Sequence, residues 1–484
     1  MATIPTLITI ALYLLILFAV ARRSSGDASN STFFKGGRKQ SPLVVAIAMM
    51  SAPISGISLI SLPGSVAAGA FSYLQFMFGV VVGYTIIAYL LIPLFYRLNV
   101  TSLYEYLDSR FGVSSHRSGA WIFFISKVLS ASLRAFVVCI VVQQLLCNAL
   151  GVPFYITSIL FMVLVWLYTY RGGVASIVWT DVIKTICMVG CIVLAILFVL
   201  RSLGLSMGEA IEQASAKGFT QVFFFEEVND SRHFLKMFIS GIFLIVANTG
   251  LDQDIMQRVL SSRTQRSAQR NMVLSSISQV AIIGLMLVLG ALLHLYLVNN
   301  NLSVAKPDDV FAFVATREGV PMILSILLVL GIVSSTFSVT GSALTSLTTS
   351  FTMDILGGEK NRNEKQLTRL RKVVHIAIAA ILLVLMLAFE RWSNDSAINL
   401  FYRLASYTYG PLLGMFAFGI FTKLCVRDRW VPIVVIIAPA LSFLLDHYSQ
   451  ELFGGYKFGF EILLVNAALT MIGLLVLSRR GDEK

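Results

Sequence analysis

Charge is what this sequence has least of. Only 13% of its 484 residues are Asp, Glu, Lys or Arg, where a soluble domain carries about 25%. Length alone would suggest two or three soluble domains, but no stretch is polar enough to form one. Histidine and cysteine are also scarce, at five residues each. Cys139, Cys147, Cys187 and Cys191 fall in apolar segments and Cys425 in a basic loop, at spacings that fit neither a metal site nor a disulfide framework. Cys187 and Cys191, four apart on one helix face, read as small packing residues. Paired carboxylates in a catalytic arrangement, a phosphate-cradling glycine loop and a nucleophile–base or metal constellation are all missing. These absences speak against an enzyme and against an ATP-driven pump.

What is present is apolar. The chain is 57% hydrophobic with a mean hydropathy of +0.82. Runs of about 20 residues, enough to cross a hydrocarbon core about 30 Å thick, recur along its whole length. They place helices near 4–21, 42–70, 72–96, 118–149, 154–170, 175–202, 233–250, 268–298, 321–354, 373–390, 397–421, 430–446 and 460–478. The expectation is an all-α integral membrane protein with about thirteen transmembrane helices. The surplus of 12 positive charges lies in short loops between apolar runs, which points to topology rather than to nucleic acid. Every second loop is basic. Loop 22–41 carries Arg22, Arg23, Lys35, Arg38 and Lys39, whereas loop 203–232 carries Glu209, Glu212, Glu226, Glu227 and Asp230. The positive-inside rule then puts the N-terminus outside and the C-terminus inside. Residues 4–21 end in Ala19-Val20-Ala21, but Arg22-Arg23 follows the apolar run and no basic residue precedes it. A signal peptide has the charge first, so this run reads as a first membrane helix.

Two of these helices are interrupted. Ser51-Ala52-Pro53-Ile54-Ser55-Gly56 sits mid-membrane in the second, and Ala247-Asn248-Thr249-Gly250 ends the seventh. Backbone carbonyls freed at such breaks are tolerated in a bilayer only where they line a cavity or are buried in protein. Paired breaks in corresponding positions are the sequence mark of an inverted-repeat transporter site, and kinked helices without a ligand are the alternative reading. Ionisable residues at membrane depth are costly and mark function or pairing. Arg134 reads either as a fork for a substrate carboxylate or as the partner of Asp181, Asp252 or Glu105. Lys127, seven residues earlier and nearer the helix end, is placed to snorkel. Asp181 reads as a cation or proton site, or as the partner of Lys184 one turn on. The run 321–354 is rich in Ser and Thr, most of them read as structural, with some facing the first break as oxygen donors for a hard cation.

The segments GGVASIVWTDVIK at 172–184, GLDQDIMQRVL at 250–260, SALTSLTTSFTMDIL at 342–356 and YGPLLGMFAFG at 409–419 resemble the sodium:solute symporter family, in family order. Among its members the sequence is most similar in motif to the bacterial sialic acid-type symporters. The resemblance covers about residues 1–425 and implies a five-plus-five inverted-repeat core with discontinuous helices. In this reading 4–21 is a flanking helix, 42–202 the first repeat, 233–421 the second, and 430–478 two C-terminal helices. It implies one sodium held by carbonyls of Ser51, Ile54 and Ser335 and the hydroxyl of Ser338. A second sodium would use Asp181, Ser338, Gly341 and Ser342. Val339 and Gly341 stand where the family supplies oxygen ligands. For the substrate it implies Ser55, Ser58, Gln75 and Arg134. Asn248 falls where the glucose and galactose members have a stacking tyrosine, which speaks against a plain hexose.

Together these imply a secondary active transporter for cation-coupled uptake, with sodium as coupling ion, of a small carboxylated organic solute such as an acidic sugar, by alternating access. The expected partners are that solute, sodium and the lipid bilayer, with no nucleic acid and a monomeric chain in a bacterial cytoplasmic membrane. A neutral sugar or polyol symporter with a structural Arg134 stays open. Because of Val339 and Gly341, so does proton-coupled or uncoupled transport. A transporter-like sensor is disfavoured, since the chain ends at Lys484, just past its last helix.

Overall fold

A computed structural model of the chain describes residues 3–24, 56–98, 102–143, 147–172, 174–260, 262, 264–317, 319–357, 363–392 and 397–479. The helices are α1 (Thr3–Ser24), α2 (Gly56–Gly69), α3 (Tyr73–Leu98), α4 (Val113–Val142), α5 (Phe154–Gly172), α6 (Val174–Leu203), α7 (Met207–Ala216), α8 (Phe234–Gly250), α9 (Gln253–Leu260), α10 (Gln265–Asn299), α11 (Met322–Ile355), α12 (Glu364–Trp392), α13 (Ala397–Phe421), α14 (Val431–His447) and α15 (Ile462–Val476). Among the described residues eight helices are long and apolar enough to cross a membrane, and five more apolar helices are shorter. Large apolar side chains stay exposed along α1, α5, α6, α12, α14 and α15, among them Leu15, Leu160, Ile186, Val384, Ile436 and Val476. A contiguous apolar rind of this extent suits lipid, not water.

Most observed helices lie within a few residues of the apolar runs. The larger differences have local causes. Helix α12 begins at Glu364, nine residues before its apolar run, because a helix need not stop where the apolar stretch does. Helix α4 starts at Val113 because Asp428 caps it from the far side of the sequence. Its carboxylate accepts the backbone N–H groups of Ser114 and Ser115 at 2.8 and 2.7 Å and the Ser115 hydroxyl at 2.6 Å. Orphan donors at a helix start favour such an anion. Gly112 precedes it at φ +134°, and a Cβ there would come within 2.7 Å of Asp428. The polar segment 203–232 contains α7, opened by a reciprocal Ser206–Glu209 capping box.

The helix pairs nearest the molecular centre meet through glycine. A Cβ on Gly79 would lie 2.0 Å from the Phe238 carbonyl oxygen, and one on Gly241 2.2 Å from that of Phe76. Helices α3 and α8 therefore touch main chain to main chain. Gly290 of α10 approaches the Pro63 carbonyl of α2 in the same way, with a Cβ at 2.6 Å. Small residues permit such contact, which apolar packing in a bilayer rewards.

The expected interruption of the seventh apolar run is present. Val246–Gly250 at the end of α8 winds as a π-turn, a local widening common at functional sites. Similar turns occur at Ile87–Leu91 and Phe351–Ile355. Of the other break, Ser51–Ser55 lies outside the described residues, and α2 begins at Gly56.

Candidate functional site

The π-turn of α8 faces α4 and α11 across a central cavity of about 60 Å³. Its polar lining includes Lys127, Arg134, Asp181, Asn248, Asp252 and Asp254. The apolar lining includes Phe76 of α3 and Val339 of α11. A cavity of this volume holds a few waters. Phe76 also meets Phe460 edge-on at 6.2 Å and Tyr73 at 5.1 Å. Phe460 and Tyr73 line a larger, open cavity of about 350 Å³ that also contains Arg232, Arg403 and Lys457. The aromatic trio is therefore the partition between the central cavity and the open one.

Lys127 does not snorkel. It is buried, with its ammonium 2.9 and 3.1 Å from the two Asp252 oxygens and 3.0 Å from Asp254. The Tyr409 hydroxyl donates to Asp252 at 2.8 Å, and the Tyr104 hydroxyl to the Leu251 carbonyl at 3.1 Å. The reason is geometric: the chain leaving α8 brings two carboxylates across the path of α4, and buried charges pair rather than stay exposed to an apolar surround. This clamp closes the cavity at the Asp252 end. The sequence placed Lys127 to snorkel, while the segments 250–260 and 409–419 contained its partners. Nothing in a linear reading joined them.

The hydroxyls of α11 divide cleanly. Thr336, Thr345, Thr348 and Thr349 bond carbonyls one turn back in their own helix, the structural use expected of most. Two reach across to carboxylates instead: Ser338 donates to Asp181 and Ser342 to Asp254. Of the four residues of the implied second sodium site, then, Asp181 and Ser338 come together while Ser342 is directed to a different acid. The hydroxyls of Ser335 and Thr340 are buried without a hydrogen-bond partner among the described residues. Ser335 is one of the implied donors of the first sodium, through its backbone carbonyl and not through this hydroxyl. The other three donors divide between Ser338, already placed, and Ser51 and Ile54, which with Ser55 lie outside the described residues.

Of the substrate residues, Arg134 and Asn248 line the cavity together. Asp252 pairs with Lys127, Asp181 meets Ser338 and Lys184, and Glu105 accepts the Ser102 backbone N–H at 3.2 Å. Ser58 sits half-buried on α2 and is not among the cavity's lining residues. Gln75 is fully buried, but its amide is committed to backbone. It donates to the Arg232 carbonyl at 2.8 Å and accepts the Phe224 N–H at 3.1 Å. That holds the segment before α8 against α3, outside the cavity. Among the described residues no cluster of His, Cys, Asp and Glu could hold a metal ion.

The profile of the sodium:solute symporter family matches residues 33–428. The chain belongs to that family. As a member of the sodium:solute symporter family it is a membrane transporter and not an enzyme, with sodium as its coupling ion. The sodium/sialic acid symporter SiaT of Proteus mirabilis is 22% identical over 452 residues, covering 90% of this chain and 87% of that protein. The sodium/sialic acid symporter NanT of Aliivibrio fischeri is 23% identical, covering 84% and 80%. Among solved structures, a substrate-bound, outward-open Na+-coupled sialic acid symporter superposes with a TM-score of 0.84 over 97% of both chains at 18% identity. The fold is that of this transporter, discontinuous helices included.

Proposed function

We propose that the protein takes up a small carboxylated solute, an acidic sugar of the sialic acid class, in symport with sodium. The observation that carries this is Arg134 beside Asn248 on the wall of the central cavity. Guanidinium offers a planar fork that a carboxylate matches with two charge-assisted hydrogen bonds. Both named sialic acid relatives align over more than four-fifths of the chain, which supports the solute class. Ser51, Ile54, Ser335 and Ser338 hold one sodium, and Ser55 and Ser58 complete the solute side.

The two repeats are 42–202 and 233–421, inside a monomer of thirteen spans in a bacterial cytoplasmic membrane, N-terminus outside. Alternating basic and acidic loops support that orientation. Uptake then alternates between parting Phe76 from Phe460 and releasing Lys127 from Asp252 and Asp254.

The test is thermal stabilisation of purified protein by N-acetylneuraminate and by neutral hexoses, with and without sodium. A ligand at a hundredfold its Kd stabilises by about 2.7 kcal/mol. Arg134→Lys keeps the charge and loses the fork, so affinity for the acid falls at least tenfold, about 1.4 kcal/mol, and Arg134→Ala costs more. If Arg134→Ala folds well and binds the acid with undiminished affinity, the carboxylate assignment is wrong and a neutral solute takes its place.

A further inference from the structure

Asp181 lies fully buried on α6, and so does Lys184, one turn along the same helix. The Lys184 ammonium stands 3.7 Å from the Asp181 carboxylate, which also accepts the Ser338 hydroxyl. We propose that Lys184 is a tethered cation that fills the second cation position at Asp181, so that one Na+ accompanies each carboxylated solute. The coupling ratio rests on the function proposed above; the occupancy of Asp181 does not.

Three observations converge. First, the oxygen atoms a free ion would need around Asp181 are closed off. Of the positions implied for the second sodium, Gly341 has no side chain, and a Cβ there would lie 1.8 Å from the Tyr168 hydroxyl oxygen. That hydroxyl donates to the Phe337 carbonyl at 2.7 Å, so it occupies the volume a serine at 341 would fill. Ser342 is turned to Asp254.

Second, an ammonium three residues from a buried carboxylate neutralises it without recruiting an ion. A free Na+ at the same acid would sit beside a fixed positive charge in a medium of low polarity, where like charges repel strongly. Helix α1 packs against α6, and Asp181 is fully buried there.

Third, the charges balance. Lys127, Arg134 and Lys184 stand against Asp181, Asp252 and Asp254, three of each sign. One carboxylate entering with one Na+ preserves that balance, whereas a second Na+ would leave a buried surplus.

The probe is Na+ alone. Purified full-length protein is unfolded thermally in NaCl and in KCl at equal ionic strength, and bound 22Na+ is counted by equilibrium dialysis. We expect one Na+ per chain, and an Asp181→Asn variant that still binds one Na+ per chain. Lys184→Gln should acquire a second saturable sodium response, which Asp181→Asn then abolishes. If either single change prevents folding, the neutral Asp181→Asn/Lys184→Met pair removes both charges together and should keep the parental sodium response.

Two Na+ per chain, or loss of the bound Na+ on Asp181→Asn with Lys184 in place, overturns the proposal. So does a Lys184→Gln protein with no new sodium dependence. A parent that binds no sodium while Lys184→Gln binds one would leave the tethered cation standing and sink the sodium-coupled reading instead.

Discussion

Replacing Lys127 by methionine isolates the clamp that closes the cavity at the Asp252 end. Methionine keeps the length of the side chain and removes the ammonium that lies within 3.1 Å of Asp252 and Asp254. Breaking a buried pair by deleting one partner costs about 3–5 kcal/mol, because the other charge is left uncompensated. Here two acids are left, which argues for the upper end. Tyr409 and Ser342 still donate to them, which argues for the lower. About 3–4 kcal/mol is the expected cost, read as the change in unfolding free energy in guanidinium titrations of detergent-solubilised protein. Adding Asp252→Asn should then cost less than it does alone, with a coupling of about 2–3 kcal/mol, the top of the range for residues in one network. Lys127→Met should also expose a cysteine introduced at Ile255 to water-borne thiol reagents, since the cavity would open at that end. A cost below about 1 kcal/mol, the value of a solvated surface pair, would refute the reasoning. So would strict additivity with Asp252→Asn.

Two further outcomes follow from the packing and the loops. Gly241→Ala drives a Cβ to 2.2 Å from a backbone oxygen and should sharply reduce the yield of folded protein. Gly190→Ala, with nothing within 4 Å of the new atom, should be neutral or stabilising by up to about 1 kcal/mol, and thermal melts of the two variants decide it. Hydrogen bonding to Arg232 holds Asp230 below the usual carboxylate range. A lowered folded pKa means its contribution is complete above the ordinary value of 3.8 and is lost as pH falls through the folded one. Asp230→Asn should therefore flatten the unfolding midpoint against pH only below that value, and by little, since the pair is partly exposed to solvent.

Much of this was readable from composition and period, and the parts that were not share a cause. Apolar length found the membrane helices because burial in lipid is a property of each run alone. The Val246–Gly250 turn was visible because Asn, Thr and Gly are out of place in an apolar helix. The Asp181–Lys184 pair was visible because one turn of helix fixes it. Contacts between distant segments were hidden. Lys127 meets acids 125 and 127 residues away, and read along its own helix it was expected to snorkel. Gln75 carried the right chemistry for a solute contact, yet its amide holds backbone, which only the fold reveals. Gly341 looked like a lost ligand. The structure gives the complementary half, a tyrosine hydroxyl from α5 standing where a side chain would have been.

The glycine seam between α3 and α8 has a mechanical consequence. At Gly79 and Gly241 backbone meets backbone with no side chain between to rotate, so a tilt of one helix is passed to the other. Phe76, on the α3 side of the seam, presses against Phe460 at one end of the cavity, while α8 runs on to Asp252 and the lysine clamp at the other. A tilt that lifts the pair at the aromatic end presses it home at the acidic end, and the reverse. The two closures are then opposite strokes of a single lever, and reciprocal access needs no message carried between them.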